Sequence, residues 1–193
     1  MDQQTLKNVL EMHRKWVFGE DGGARANLYR ADLSSANLSS ANLYRADLSS
    51  ANLYRADLSS ANLYRANLSK IQEDFFKVLS VSKSEVVGLY DALQRGRIEG
   101  SCYEGECRCL VGTIAELRSE PYESLSIDLK PQSDRPIEKW FLGIKAGDTP
   151  QNNVIASATA QMIKVFATEN SIALPEYKLV SSLEAPSVFE ASV

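Results

Sequence analysis

The stretch from Arg95 to Cys109, RGRIEGSCYEGECRC, holds the chain's three cysteines, three glycines and six charged residues. Cys102, Cys107 and Cys109 follow a C-x4-C-x-C spacing. A structural zinc site takes four Cys or His ligands, usually with a C-x2-4-C pair. No fourth ligand lies near, so neither a metal nor another cofactor is expected, and the cysteines read as small buried thiols. Arg95, Arg97 and Arg108 among glycines suit a phosphate-bearing ligand such as a nucleotide, because guanidinium and backbone N–H groups both favour phosphate. Glu99, Glu104 and Glu106 oppose that charge, and the sequence has neither G-x-x-x-x-G-K-[ST] nor G-x-G-x-x-G. A solvated loop whose charges neutralise one another is the alternative. His13 is the only histidine. Cys–His or Ser–His–Asp catalysis would have to run through it, and any site that needs two histidines is excluded. The expectation is a protein that is not an enzyme.

A second set of chemically useful side chains recurs at a fixed interval. Residues 26–70 are nine consecutive five-residue repeats, with Ala at 26, 31 and every fifth position to 66, and Leu two places later from Leu28 to Leu68. Asn or Asp stands between them, and Tyr-Arg, Ser-Ser or Ser-Lys follows. A period of five matches neither the helix nor the strand. Fixed periods of this kind signal small units stacked on their neighbours. If four repeats make one level, Tyr44 stacks on Tyr64, with Arg45 and Arg65 beside them. Tyr and Arg are enriched in interface hot spots, so this column is a candidate contact surface. The alternative is ladder packing, with rings and guanidinium stems covering the wall.

The A[N/D]LXX signature over residues 26–70 resembles the pentapeptide-repeat proteins. The resemblance implies a short right-handed quadrilateral β-helix of about two coils; with an N-terminal capping helix and a mostly helical C-terminal domain read from the flanking residues, the expected class is β-solenoid plus α. Ala and Leu would point inward. The layout also resembles small phage- or prophage-encoded members with a helical C-terminal domain. The family implies inhibition or sequestration of a bacterial protein. Its best-known members resemble a DNA duplex, but the charges here do not favour that role. DNA carries one phosphate charge per about 1.7 Å, so a stub ~11 Å tall should present six or more acids. The repeats hold Asp32, Asp47 and Asp57 against Arg30, Arg45, Arg55, Arg65 and Lys70, a net +2. The chain's −4 therefore leaves −6 for the remaining residues.

These elements must be held by flanking segments. Leu6, Val9, Leu10, His13, Trp16 and Val17 share one helical face over about residues 2–17, with His13 at its edge and Trp16 covering the first coil. GEDGG ends that helix. Phe75, Phe76, Val78 and Leu79 should seal the other end. Ser82-x-x-Glu85 reads as a capping box for a helix to about Arg95. Further helices are expected around Leu110–Leu117, from Pro136 through Leu142, and from Thr149-Pro150 to about Thr168. The predicted units are residues 1–22, 23–70, 71–169 and an extended tail, 170–193.

The protein is expected to bind a protein partner. Capture of a small anionic ligand, a DNA mimic and a homo-oligomerisation module, in which the tyrosine column and tail make a homodimer, are the alternatives. Direct nucleic-acid binding is not expected of an acidic chain with pI near 5.2. No apolar run spans a membrane, and residues 1–16 lack a signal peptide's core. A cytoplasmic site in a bacterial cell or phage-infected host is therefore expected.

Overall fold

The computed structural model describes residues 1–58, 60–102, 108–132 and 135–177. Cys107 and the tail from 178 onward lie outside the described residues.

Each repeat builds the same small turn. The Asn or Asp carboxyl or amide oxygen accepts the N–H two residues on, as in Asn27 Oδ1 to Tyr29 N–H at 3.1 Å and Asp47 Oδ1 to Ser49 N–H at 3.0 Å. The Ala N–H then donates to the Leu carbonyl three residues back, as in Ala31 to Leu28 at 3.0 Å and Ala51 to Leu48 at 3.0 Å. The residue before that Ala lies in the left-handed region: Arg30, Ser35, Ser40, Arg45, Ser50, Arg55, Ser60 and Arg65 all have φ between 55° and 62°. A positive φ at the third turn residue is the type II signature, usually met by Gly or Asn. For another L-residue it costs about 1–2 kcal/mol. Burial of one Leu per repeat offsets that cost: Leu28, Leu33, Leu38, Leu43, Leu48 and Leu53 are 0–1 % exposed, and burying such a side chain is worth ~1.5–3 kcal/mol.

Levels are joined at a separation of twenty residues. Single parallel bridges link Asn27 to Asp47, Asp32 to Asn52, Asn37 to Asp57, Asn42 to Asn62 and Asp47 to Asn67. Asn side chains add rungs: Asn52 Nδ2 donates to Asp32 Oδ1 at 3.0 Å, and Asn67 Nδ2 to Asp47 Oδ1 at 3.1 Å.

The expected β-helix is corrected by this geometry. Among the described residues there is no β-strand and no sheet, and the regular secondary structure is helical. The physical reason is the turn in every repeat. A left-handed residue every five positions interrupts extended backbone, so pairing stops at isolated bridges. The repeat block is a stack of hydrogen-bonded turns around a leucine interior rather than a β-solenoid.

Helices flank it. α1, Gln3–Phe18, is N-capped by Asp2 and closed by Gly19 at φ 69°. It contributes buried Leu6 and His13, with Val9 and Leu10 partly buried against the same core. Gly23 passes so close to α1 that a Cβ there would lie 2.3 Å from the Trp16 nitrogen. At the other end, α2 (Ser69–Val81) starts inside the ninth repeat and buries Ile71, Phe75, Val78 and Leu79. α3 spans Val86–Gln94, α4 Leu110–Arg118, α5 Pro136–Phe141 and α6 Val154–Glu169.

α2 packs on α5 and α6 through edge contacts of Phe75 with Phe141 at 5.7 Å and Phe76 with Phe166 at 5.3 Å. Asp74 ties them further. It accepts from Arg135 Nη2 at 2.9 Å and from the Ile137 N–H at the start of α5 at 3.1 Å. Trp140 is fully buried, its Nε1 donating to Thr159 Oγ1 at 2.8 Å.

Two predicted starts moved. Ser82 does not cap α3, because its hydroxyl donates back to the Val78 carbonyl at 2.7 Å and Glu85 pairs with Arg118. α6 begins at Val154 with Asn153 as its cap, while Thr149 and Asn152 close a separate turn.

Candidate functional site

The turn geometry decides which side chains face outward. Leu points in, and the fourth and fifth residues of each repeat lie on the turn. Repeats twenty residues apart align, so Tyr44-Arg45 sits above Tyr64-Arg65. The two tyrosine rings are stacked, 6.0 Å between centroids and 18° between planes. Tyr64 is 64 % exposed. Arg65 lies over the Tyr64 ring at 5.3 Å, and the Tyr64 and Tyr44 oxygens raise its pKa above the usual arginine value.

Arg45 turns toward α1, with its guanidinium 6.0 Å from the centre of the Trp16 ring. Trp16 stacks on His13 at 5.5 Å. His13 is fully buried, and its Nδ1 accepts the Ala26 N–H at 3.1 Å. That bond places the remaining proton of the neutral ring on Nε2. Burial pushes the His13 pKa below its ordinary 6.5, and the Arg25 charge acts the same way against the opposing Tyr44 carbonyl. The single histidine is thus a buried, neutral strut between α1 and the first level. The Tyr/Arg column continues through Trp16 onto this helix.

The same pairing recurs elsewhere on the repeats. Arg30 lies 5.0 Å from the Tyr29 ring centre and Arg55 5.0 Å from that of Tyr54. Beside the first level, a groove of about 1060 Å³ runs between α1 and residues 32–42. The Met1 ammonium donates to the Asp32 carbonyl there at 2.7 Å.

The arginines of the glycine-rich segment are arranged differently. Arg95 Nε and Arg97 Nη2 converge on the two oxygens of Asp91, at 2.8 and 2.6 Å. The Tyr177 hydroxyl also donates to Asp91. Burial opposes ionisation of Asp91, but the hydroxyl and the two guanidiniums outweigh it and hold its pKa below the ordinary value. Arg108 Nη1 pairs with Glu116 of α4 at 2.5 Å. Each of the three guanidiniums therefore already faces a carboxylate. Cys102 is exposed, whereas Cys109 is buried, caps α4 through its Sγ, and has its pKa pushed up by burial to about 11. No group of three His, Cys, Asp or Glu side chains that could hold a metal occurs among the described residues.

One ionisable group has no mark in the sequence. Glu138, in the first turn of α5, is 8 % exposed, and its Oε1 has no hydrogen-bond partner among the described residues. Burial raises its pKa to about 7, with Arg135 opposing and Asp74 adding to the shift. A Glu two places after an N1 proline ordinarily reads as a solvated first-turn acid.

Residues 26–63 match the family model for pentapeptide repeats, in eight copies. No curated protein and no solved structure matches the chain. No helix among the described residues is long and apolar enough to cross a membrane.

Proposed function

Residues 26–63 of this chain are pentapeptide repeats, and from that premise we propose that it is a non-enzymatic binding protein acting on a bacterial protein. Its contact surface is the column Tyr44, Arg45, Tyr64 and Arg65 with Trp16. The observation that carries this reading is the stack of exposed Tyr64 on half-buried Tyr44, with Arg65 lying over the Tyr64 ring. Rings and guanidiniums already ordered against a stiff turn stack lose little side-chain entropy when a partner arrives. Tyr, Trp and Arg are also the residues that dominate interface energies. In a bacterial cell or phage-infected host, occupation of a target's surface by such a column would act as inhibition or regulation. The reading extends to a phage-derived regulator or counter-defence factor.

The test is capture of a partner from bacterial lysate by the full chain and by its Tyr64→Ala variant. A protein retained by the wild type and lost with Tyr64→Ala supports the reading. Equal retention by both, or no retained protein together with measurable turnover of a substrate, overturns it. The small-ligand alternative gains nothing from Arg95, Arg97 and Arg108, whose charges Asp91 and Glu116 already answer.

A further inference from the structure

Ten of the eleven arginines fall into two groups. Arg14, Arg95, Arg97, Arg108, Arg118 and Arg135, all outside the repeats, each pair with a carboxylate. Arg30, Arg45, Arg55 and Arg65 are exposed, and none pairs with a carboxylate among the described residues. Each instead lies over an aromatic ring at 5.0–6.0 Å. The acids nearest in sequence are engaged elsewhere. Asp32 and Asp47 accept backbone N–H groups of their own turns and the amides of Asn52 and Asn67 one level below. Asp32 and Asp47 are thus spent on holding the stack, while the exposed guanidiniums rest on aromatic rings.

From this arrangement we infer that the partner presents an acidic α-helix, with Asp or Glu at i and i+4 set against Arg45 and Arg65. The inference rests on the binding role assigned to the column above. Two observations select the class. Arg45 and Arg65 are equivalent positions one level apart, and neighbouring backbone layers lie ~4.8 Å apart. Carboxylates at i and i+4 on one helix face are separated by a similar ~5–6 Å between Cβ atoms. Arg forks take carboxylates bidentately, and neither Arg45 nor Arg65 pairs with a carboxylate among the described residues; Arg65 is held only by the neutral Tyr64 and Tyr44 oxygens. A nucleic acid shares the sign of charge but not the fit. A long polyanion meets the −6 carried outside the repeats as well as their +2, whereas a compact acidic helix meets the guanidiniums alone.

The experiment uses the full chain and fluorescence anisotropy with three labelled probes: an alanine-based helical peptide with Glu at successive i, i+4 positions, its Lys counterpart, and a short single-stranded DNA. The acidic peptide is expected to bind, and the Lys peptide not to bind. Arg45→Gln with Arg65→Gln should weaken the acidic peptide about tenfold or more, consistent with loss of two charge-assisted bonds. Circular dichroism shows whether the double variant stays folded, and Arg95→Gln, whose guanidinium serves Asp91, should leave binding unchanged. Absence of acidic-peptide binding, tighter binding of the DNA, or insensitivity to the double substitution overturns the inference. A lysate protein lost with Tyr64→Ala but retained by the Arg45, Arg65 double variant would keep the binding role and remove the acidic helix.

Discussion

Replacing Glu138 with Gln should stabilise the protein, and only above mildly acidic pH. Glu138 sits buried on α5 near Asp74 and Cys109, with one carboxyl oxygen lacking a partner among the described residues. Its pKa rises from 4.5 to about 7, chiefly because burial disfavours the charged form. The folded state therefore keeps a proton that the unfolded chain has released between those two values. Stability falls as pH rises through this window, by up to ~1.4 kcal/mol per pH unit, and above pH 7 the full penalty is about 3 kcal/mol.

Gln is isosteric and uncharged, so Glu138→Gln should recover about 2–3 kcal/mol at pH 8 and little at pH 4.5. For a chain of this size that is ~4–12 °C in melting temperature. Urea unfolding followed by the fluorescence of Trp16 and Trp140 at pH 4.5, 6 and 8 reads the effect. His13 titrates with the opposite sign, but it is common to both proteins and cancels in their difference. A wild-type-minus-variant difference that is the same at pH 4.5 and pH 8 would refute the reasoning.

Two further outcomes follow from the repeat block and its cap. Leu43→Ala removes a fully buried side chain from the leucine interior, and should cost ~2–5 kcal/mol in urea unfolding; a cost under 1 kcal/mol would mean that the interior is loosely packed. His13 has a depressed pKa and is neutral when folded, so its contribution is present above pH 6.5 and lost as pH falls. In a Glu138→Gln background, thermal unfolding between pH 6.5 and 5 should show stability falling with acid, and His13→Asn, which keeps an acceptor for Ala26, should flatten that slope.

Much of the column was legible because a five-residue period places chemistry by arithmetic. Tyr44 and Tyr64 are twenty residues apart, and the bridges fall at that separation. α1 was legible from the spacing of Leu6, Val9, Leu10 and His13. The strand expectation failed at the fifth repeat position. Ser and Arg there give no sign of the left-handed conformation that a Gly would have announced, and that conformation is what limits pairing to single bridges. α2 was missed as a helix because Ser69 belongs to the repeat pattern, although Ile71, Phe75 and Val78 already show helical spacing. Asp91 lies four residues before Arg95, so that pair could be read in advance. Glu116 meets Arg108 only through the fold. Burial of Glu138 also depends on how α2, α4 and α5 assemble, which no local pattern encodes.

The most direct test of the repeat column as a binding surface is site-specific photo-crosslinking in bacterial cells expressing the full chain. A photoreactive phenylalanine analogue, which keeps the aromatic ring, should join the chain to a distinct protein when it replaces Tyr64, and should not when it replaces Ile127, which is 76 % exposed on the helical part. Cross-linking at 127 with none at 64 would contradict the account and move the contact to the helices.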